Sequence, residues 1–298
     1  MIQKNLDFVL SEKKKKIDKA LTRVLTKKKG FNKPLYDAML YSVSAGGKRL
    51  RPAIMLLVGG DLFNMDKHEG LMQTACSIEM IHTYSLIHDD LPSMDDDDFR
   101  RGLPTLHKKY DESVAILAGD ALFSLAIETF AKAEGFKDKD KLKGLSFLLE
   151  NVGTEGMVAG QYVDTKIDNY KRNSLVLKYI HLKKTAAMIS ASFALPALLS
   201  GAKNACFERL AKLGTSAGLL FQIADDIIDV TQSSEVLGKT AGKDLKQNKL
   251  TFVSLYGLEK AKRMAVKEAQ TARRLSDEIN FNTPYIPELI EYFHKRIK

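Results

Sequence analysis

Apolar residues recur at helical spacing along almost the whole of this 298-residue chain, and this periodicity constrains the fold more than any other feature. Alternating strand patterns and the Asn-Gly or Asp-Gly pairs typical of tight hairpins are absent. We therefore predict an all-α protein. The predicted helices cover residues 3–27, 33–44, 52–63, 68–90, 112–133, 139–152, 174–200, 204–231, 250–277 and 285–297, with glycines and prolines between them.

No stretch of the chain has the composition of a linker, so we predict a single domain over residues 1–298. One uncharged stretch, residues 185–202, approaches the length of a membrane span, but it contains three serines, a threonine and a proline. We interpret it as a buried helix and expect no transmembrane segment. The N-terminus lacks the apolar core of a secretory signal, and the two cysteines have no CxxC spacing. These features favour a cytoplasmic protein.

Six carboxylates lie within ten residues directly after an apolar run, at Asp89, Asp90 and residues 95–98. Like charges at this density raise one another's pKa unless cations neutralise them. Mg²⁺ suits such a cluster, because it is typically held by one or two carboxylates plus substrate phosphates. On an ideal helix Asp95 would lie about 240° away from Asp89, and Pro92 lets the chain bend back instead. For this cluster alone, a solvated acidic loop remains an alternative.

A second acidic cluster lies on an otherwise apolar helix. Asp225 and Asp229 are four residues apart and share one face, with Asp226 about 100° round. Carboxylates on so hydrophobic a helix are costly unless they are paired or metal-bound. Two long helices that each carry such a cluster could face each other across a bundle core, which is a common way to build a metal site.

Basic residues accompany both clusters. The segment from Gly46 to Pro52 is a glycine turn into a helix, where Lys48 and Arg51 could bind a phosphate. It lacks the order of a Walker P-loop. His82 shares the stripe of Asp89 and could contact phosphate or be a core histidine. Further basic residues follow the acidic clusters or open the uncharged helix: Arg100, Arg101, Lys183, Lys184, Lys239, Lys243 and Lys249.

These basic residues are either surface ion pairs or ligands for two magnesium-bridged diphosphates. The net charge of +9 would also suit nucleic acid or an anionic membrane surface. We expect no nucleic-acid partner, because the basic residues bracket carboxylates and form no continuous stripe.

Five motifs in one order identify a family: GGKRLRP, HDDLPSMDDDDFRRG, KKTA, FQIADDIID and LGKTAGKD. The chain resembles trans-isoprenyl diphosphate synthases, and most closely bacterial farnesyl diphosphate synthases (geranyltranstransferases). The resemblance implies an isoprenoid synthase-type helical bundle around a central cavity, usually a homodimer. It also implies Mg²⁺-dependent condensation of isopentenyl diphosphate with dimethylallyl or geranyl diphosphate.

The resemblance also assigns site residues. Magnesium is assigned to Asp89, Asp90, Asp95 and Asp225, with Asp226 and Asp229 completing the second motif. The isopentenyl diphosphate site takes Lys48, Arg51, His82 and Arg101, and the allylic diphosphate site takes Arg100, Lys184, Thr185, Gln222 and Lys239. The residues expected to act in catalysis are Asp89, Asp90, Asp95, Arg100, Lys184, Asp225 and Lys239. Asp244 and Lys249 continue the matched segment.

Product length is expected to depend on the residues just before Asp89. Tyr84 lies five residues upstream, about 7.5 Å along a helix, and Ser85 lies four upstream on nearly the same face. An aromatic residue at the fifth position resembles farnesyl-producing members, where it blocks the growing tail. We therefore expect a C15 product, with C20 as the alternative and with simple packing as another role for Tyr84.

Three other classes of protein fit the sequence less well. A non-catalytic subunit of a heteromeric prenyltransferase would typically have degraded aspartate motifs, and both are intact here. A metal phosphohydrolase would need further histidine ligands, and the six histidines form no such pattern. A terpene cyclase would not need Lys48 and Arg51 for a second diphosphate.

Overall fold

The structure, a computed structural model, describes residues 5–26, 29–231 and 249–297. The chain forms two compact units, Met1–Leu56 with Lys67–Phe136 and Leu57–Asp66 with Lys137–Lys298. Both are built almost entirely of helices in their described parts, so the predicted all-α class is confirmed. The single domain over residues 1–298 stays a prediction.

The first unit is organised around α4, which carries the first aspartate segment at its C-terminal end. Its elements are α1 (Leu6–Thr26), α2 (Lys33–Ser44), the start of α3 (Leu50–Phe63), α4 (Glu69–Asp89), β1 (Phe99–Arg100), β2 (Leu103–Pro104), α5 (Leu106–Lys109) and α6 (Glu112–Ala131). Helix α4 packs along α6 and buries most of its residues. Asp111 caps α6, because its Oδ1 accepts a hydrogen bond from the Val114 amide at 2.8 Å.

The second unit is organised around α11, which carries the second aspartate segment. Its helices are α7 (Asp138–Val152), α8 (Met157–Thr165), α9 (Ser174–Ile180), α10 (Ala187–Leu199), α11 (Asn204–Thr231), α12 (Phe252–Tyr256), α13 (Leu258–Ile279) and α14 (Tyr285–Lys295), with a 3₁₀ turn at Ile167–Asn169 and a π-helical turn at His181–Ala186. Helix α11 packs against α10 and α13.

Within the described residues, two helical stretches could cross a membrane by length and composition alone, Glu112–Ala131 and Ser174–Leu199. The most apolar window is 33% buried in the first and 72% buried in the second. Since a core helix passes the same test, these stretches are weak evidence for a membrane span. The second contains most of the uncharged stretch, which therefore lies largely in the core as predicted.

Several predicted element boundaries were wrong. The helix expected over 250–277 breaks at Gly257, whose φ of 79° cannot continue a helix. Helix α8 was not predicted; it forms between the helices predicted over 139–152 and 174–200. A two-residue hairpin was missed, because left-handed φ values at Arg101 and Gly102 (55° and 77°) make its turn without Asn or Asp.

Candidate active site

In the first unit, the glycine turn before α3 has an unusual backbone. Gly46, Gly47 and Arg49 all have positive φ, at 92°, 122° and 50°. The φ of Gly47 is one that other residues rarely adopt, and a Cβ there would also displace the Arg101 guanidinium, whose carbon would lie 2.7 Å away. Arg101 also donates a hydrogen bond to the Gly46 carbonyl oxygen. The turn is therefore tied to the β1–β2 hairpin, while the Lys48 side chain is exposed.

Guanidinium groups converge on His82. Burial, followed by the charges of Arg51, Arg101 and Arg100, holds the pKa of this histidine well below its usual value. The imidazole is therefore neutral at physiological pH and able to donate a hydrogen bond. Burial and the neighbouring arginines also lower the pKa of Arg101, although Glu79 opposes that shift. Several positively charged side chains therefore lie near His82, where they could bind a polyanion.

The first aspartate segment folds back on itself beyond α4. The Asp95 amide donates to the Asp89 carbonyl oxygen at 2.9 Å, and the Asp97 amide donates to the Asp90 carbonyl oxygen at 3.2 Å. The bend predicted at Pro92 is thus confirmed, and Asp95 returns to the neighbourhood of Asp89. Asp96 closes the turn with a φ of 48°.

Asp90, which is buried, pairs with the partly exposed Arg100 within this segment. Both carboxylate oxygens of Asp90 lie 2.8 Å from Nε of Arg100. Burial raises the pKa of Asp90, although the hydrogen bond and charge of Arg100 act to lower it. The β1–β2 hairpin therefore brings a cation directly to the aspartate segment.

Tyr84 packs edge-on against two rings in the first unit. Its ring centroid lies 5.0 Å from that of Phe123 on α6 and 5.7 Å from that of His88. Ser85 donates to the His82 carbonyl oxygen at 2.9 Å. Phe123 was missed in the sequence, because its apolar periodicity on α6 is that of any core residue.

In the second unit, the π-helical turn presents Lys184 and Thr185. Lys184 Nζ contacts Oδ2 of Asp164 at 2.6 Å. Burial acts to raise the pKa of Asp164, but the charge and hydrogen bond of Lys184 outweigh it and lower that pKa. Asp164 was missed in the sequence, because it lies alone on the unpredicted helix α8. A Cβ on Gly160 would lie 2.3 Å from the Lys184 amide nitrogen, so the tight approach of α8 to this turn requires glycine.

A chain of hydrogen bonds runs from this turn to the second aspartate segment. Thr185 Oγ1 donates to Oε1 of Gln222 at 2.7 Å, and Gln222 Nε2 donates to Oδ1 of Asp226 at 2.8 Å. The other Asp226 oxygen accepts from the Phe252 amide at 2.8 Å. Asp226 is therefore buried with both oxygens engaged. Asp229 is also buried.

Two basic residues, Arg296 and His181, approach this segment differently. Arg296, just beyond α14, contacts Oδ1 of Asp225 at 2.7 Å and lies over the Phe221 ring, 5.0 Å from its centroid. His181 Nε2 lies 3.7 Å from Asp226. Burial is the main cause that lowers the pKa of His181 to about 4, so this histidine is neutral and forms no ion pair. Arg296 was missed in the sequence, because it lies 71 residues after Asp225.

Several of these groups line a cavity of about 170 Å³ in the second unit. Its lining includes Asp164, His181, Lys184, Gln222, Asp225, Asp226, Lys249 and Thr251. Four residues assigned from the family resemblance therefore lie together here, along with Lys249. Lys239, Lys243 and Asp244 lie outside the described residues.

The residues present suit magnesium. In the described part of the chain, no group of three or more His, Cys, Asp or Glu residues is arranged to hold a metal ion by itself. Mg²⁺ does not require such a group, because it prefers carboxylate oxygens, keeps several waters and binds substrate phosphates. The donor chemistry of both aspartate segments fits that preference.

Comparison with known proteins identifies the family. Residues 32–282 match the polyprenyl synthetase family. The chloroplastic geranylgeranyl pyrophosphate synthase of Capsicum annuum is 45% identical over 276 residues, which cover 91% of this chain and 73% of that protein. The chloroplastic heterodimeric geranylgeranyl pyrophosphate synthase large subunit 1 of Arabidopsis thaliana is 47% identical over 249 residues, which cover 80% of this chain and 66% of that protein.

A solved structure extends the similarity to the fold. The geranyltransferase of Helicobacter pylori, crystallised with magnesium and isoprenyl diphosphate, matches with a TM-score of 0.86 and 35% identity. The match covers 99% of this chain and 98% of that one. The expected helical fold and family are confirmed. The chain belongs to the polyprenyl synthetase family of trans-isoprenyl diphosphate synthases and is a short-chain prenyltransferase.

Proposed function

We propose that this prenyltransferase condenses isopentenyl diphosphate with allylic diphosphates, depends on Mg²⁺ and forms geranylgeranyl diphosphate as its main product. The two plant relatives support this product length. They are named as geranylgeranyl pyrophosphate synthases and are 45% and 47% identical to this chain. These relatives favour the C20 alternative over the C15 product expected from Tyr84.

The cationic cluster of the first unit supports a site for isopentenyl diphosphate. Arg51, Arg101 and neutral His82 would bind the diphosphate, and Lys48 would add charge from the exposed side of the turn. The lowered pKa of Arg101 supports this role, because a bound anion would offset the burial that lowers it.

The polar cavity of the second unit supports binding of the allylic diphosphate. Lys184, Thr185 and Gln222 would bind it there, and the family resemblance also assigns Lys239 and Arg100 to this diphosphate. The allylic carbon–oxygen bond breaks, and the diphosphate leaves with the bonding electrons. The double bond of isopentenyl diphosphate then forms the new carbon–carbon bond, and a proton is lost to the departing diphosphate. Basic side chains around the leaving group stabilise its developing charge.

Each aspartate segment would supply metal ligands. In the first unit these would be Asp89, Asp90 and Asp95, and in the second unit Asp225 and Asp229, while Asp226 is held by its own hydrogen bonds. Bound Mg²⁺ would supply charge neutralisation for the leaving diphosphate. The hydrogen bonds from Arg100 to Asp90 and from Gln222 to Asp226 would orient these carboxylates.

The expected homodimer has a candidate surface on α6. This helix is highly apolar, yet only 33% of its most apolar window is buried, and Ile116 and Leu117 are 44% and 57% exposed. A second copy of the chain would cover this apolar surface.

A C15 product is the second candidate, because of one contact. Tyr84 lies five residues before Asp89, and its ring packs against that of Phe123 on α6. The two ring centroids are 5.0 Å apart, so the two rings form a bulky pair. If the growing tail runs past this pair, the pair would stop elongation at farnesyl diphosphate.

Product analysis tests the activity and the chain length together. The purified protein is incubated with Mg²⁺, labelled isopentenyl diphosphate and, separately, dimethylallyl, geranyl or farnesyl diphosphate, and product length is measured by mass spectrometry. We expect C20 from all three allylic substrates. A product that stops at C15 would favour the second candidate, in which case Tyr84→Ala should lengthen it. No condensation from any substrate would contradict the proposal.

A further inference from the structure

Arg49 differs from its neighbours in the glycine turn, because it is the only residue in 46–51 whose side chain is buried. We propose that Arg49 and Glu79 are positioning residues, which hold the glycine turn and His82 in the geometry that binds the isopentenyl diphosphate group. This inference rests on the proposed function and assigns a role to two residues that the family resemblance left unassigned.

The Arg49 guanidinium connects three helices of the first unit. Its Nη1 donates to Oε1 of Glu79 on α4 at 2.7 Å, and its Nε donates to Oδ1 of Asp18 on α1 at 2.8 Å. Its Nη2 donates to the Val43 carbonyl oxygen near the end of α2. The side chains of Arg49 and Glu79 are only 2% and 3% exposed. Water therefore does little to screen this pair.

The same residue sets the direction of the turn. Arg49 has a left-handed φ of 50°, a conformation that costs free energy for a residue other than glycine. Its three side-chain contacts offset that cost and fix the peptide units on either side. Lys48 precedes Arg49 with an exposed side chain, and Arg51 follows two residues later on α3. A rotation at Arg49 would therefore redirect both residues expected to bind phosphate.

Glu79 connects the buried Arg49 side chain to His82. It lies three residues before His82 on α4, so the two side chains leave neighbouring parts of the same helical face. The charge of Glu79 also acts on Arg101, where it opposes the lowering of that pKa. Asp18 and Glu79 neutralise Arg49, so its guanidinium serves as a buried support.

Kinetics with each substrate varied in turn test the proposal on Arg49→Lys and Glu79→Gln. Lysine keeps the charge but cannot reproduce the three-way guanidinium contacts, and glutamine keeps the shape but loses the charge. We expect the KM for isopentenyl diphosphate to rise about tenfold and the KM for the allylic substrate to change less than about twofold, because a small misplacement of binding groups is costly. Arg23→Gln, which breaks the exposed Arg23–Glu69 pair in the same unit, should change neither KM.

A merely structural role would give a different result. In that case kcat would fall in parallel with the folded fraction measured by circular dichroism, and both KM values would stay unchanged, which would overturn the proposal. If the single variants unfold, the apolar double variant Arg49→Met/Glu79→Leu restores packing without charge and should still show the raised KM. A double variant with normal KM would contradict the proposal.

Inorganic pyrophosphate binding separates this proposal from the proposed function. Calorimetric titration of the metal-free protein requires no turnover, and we expect binding about tenfold weaker in Glu79→Gln than in the unmodified protein. Equal binding would overturn the positioning role. An unmodified protein that binds pyrophosphate but condenses no substrate would contradict the proposed function and leave the positioning result standing.

Discussion

The two aspartate segments solve the same electrostatic problem in different ways. The first lies at the end of α4 in a turn that folds back on itself, and the Asp90 carboxylate pairs with the guanidinium of Arg100, ten residues away. The second lies inside the regular helix α11. Its Asp226 accepts hydrogen bonds from the Gln222 side chain and the Phe252 amide, while Asp225 forms an ion pair with Arg296 near the C-terminus. One segment is therefore neutralised locally and the other by distant parts of the chain.

This difference separates carboxylates that can bind a ligand from carboxylates that hold the fold. A half-exposed aspartate such as Asp225 can exchange its partner at low cost. Asp226, buried with both oxygens accepting hydrogen bonds, cannot change partners without leaving a donor unsatisfied. We therefore expect some substitutions within one motif to impair ligand binding and others to impair stability.

The largest effect is expected at Asp89. The Asp89→Asn change should lower kcat by about 10²–10³-fold, the range typical of losing one charge-stabilising group, while thermal stability is nearly unchanged. Steady-state product formation and thermal unfolding measure the two quantities. The matched control is Asp98→Asn, an exposed aspartate of the same run that pairs with Lys108 at 2.9 Å, and it should leave kcat within about threefold. Equal losses at both positions would contradict a special role for Asp89.

In the second segment, Asp226→Asn should destabilise the protein by about 1–3 kcal/mol. The side-chain NH₂ of asparagine would face one of the two N–H groups that now donate to Asp226, from Gln222 or Phe252. Asp225→Asn, one residue earlier on the same helix, should cost less than about 1 kcal/mol. Urea unfolding in EDTA measures both free energies without metal. Equal values would remove the distinction between structural and ligand-binding carboxylates.

Sequence reasoning succeeded where the deciding interactions are local. The helical periodicity, the bend at Pro92 and the close succession of Asp90 and Arg100 are all contained in short stretches of sequence. It failed at Asp164, Phe123 and Arg296, because each acts through a partner distant in sequence and none lies in a recognisable motif. It also missed Arg49, since a basic residue between two expected phosphate ligands gives no sign that its own side chain is buried.

One cysteine on each aspartate-bearing helix allows the two helices to be compared directly. Cys76 on α4 is buried, which raises the pKa of its thiol to about 12, whereas Cys206 on α11 is partly exposed. Because the thiolate is the reactive species, we expect maleimide at pH 7.5 to modify Cys206 at least about tenfold faster. Peptide mass spectrometry over time measures both rates. Comparable rates would mean that α4 opens more readily than its burial implies.

The smallest effect is expected at Arg296, the distant cation of the second segment. Since Mg²⁺ and this guanidinium would compete for Asp225, Arg296→Gln should tighten binding of Mn²⁺, used as a paramagnetic substitute, by about two- to fivefold, as expected for a partly exposed ion pair. Electron paramagnetic resonance measures this without turnover. Lys295→Gln removes the same charge from the neighbouring position, where Lys295 lies 3.9 Å from Glu291, and should leave the affinity unchanged. Equal tightening in both variants would indicate a general effect of net charge, and the C-terminal arginine would then have no specific role at the second aspartate segment.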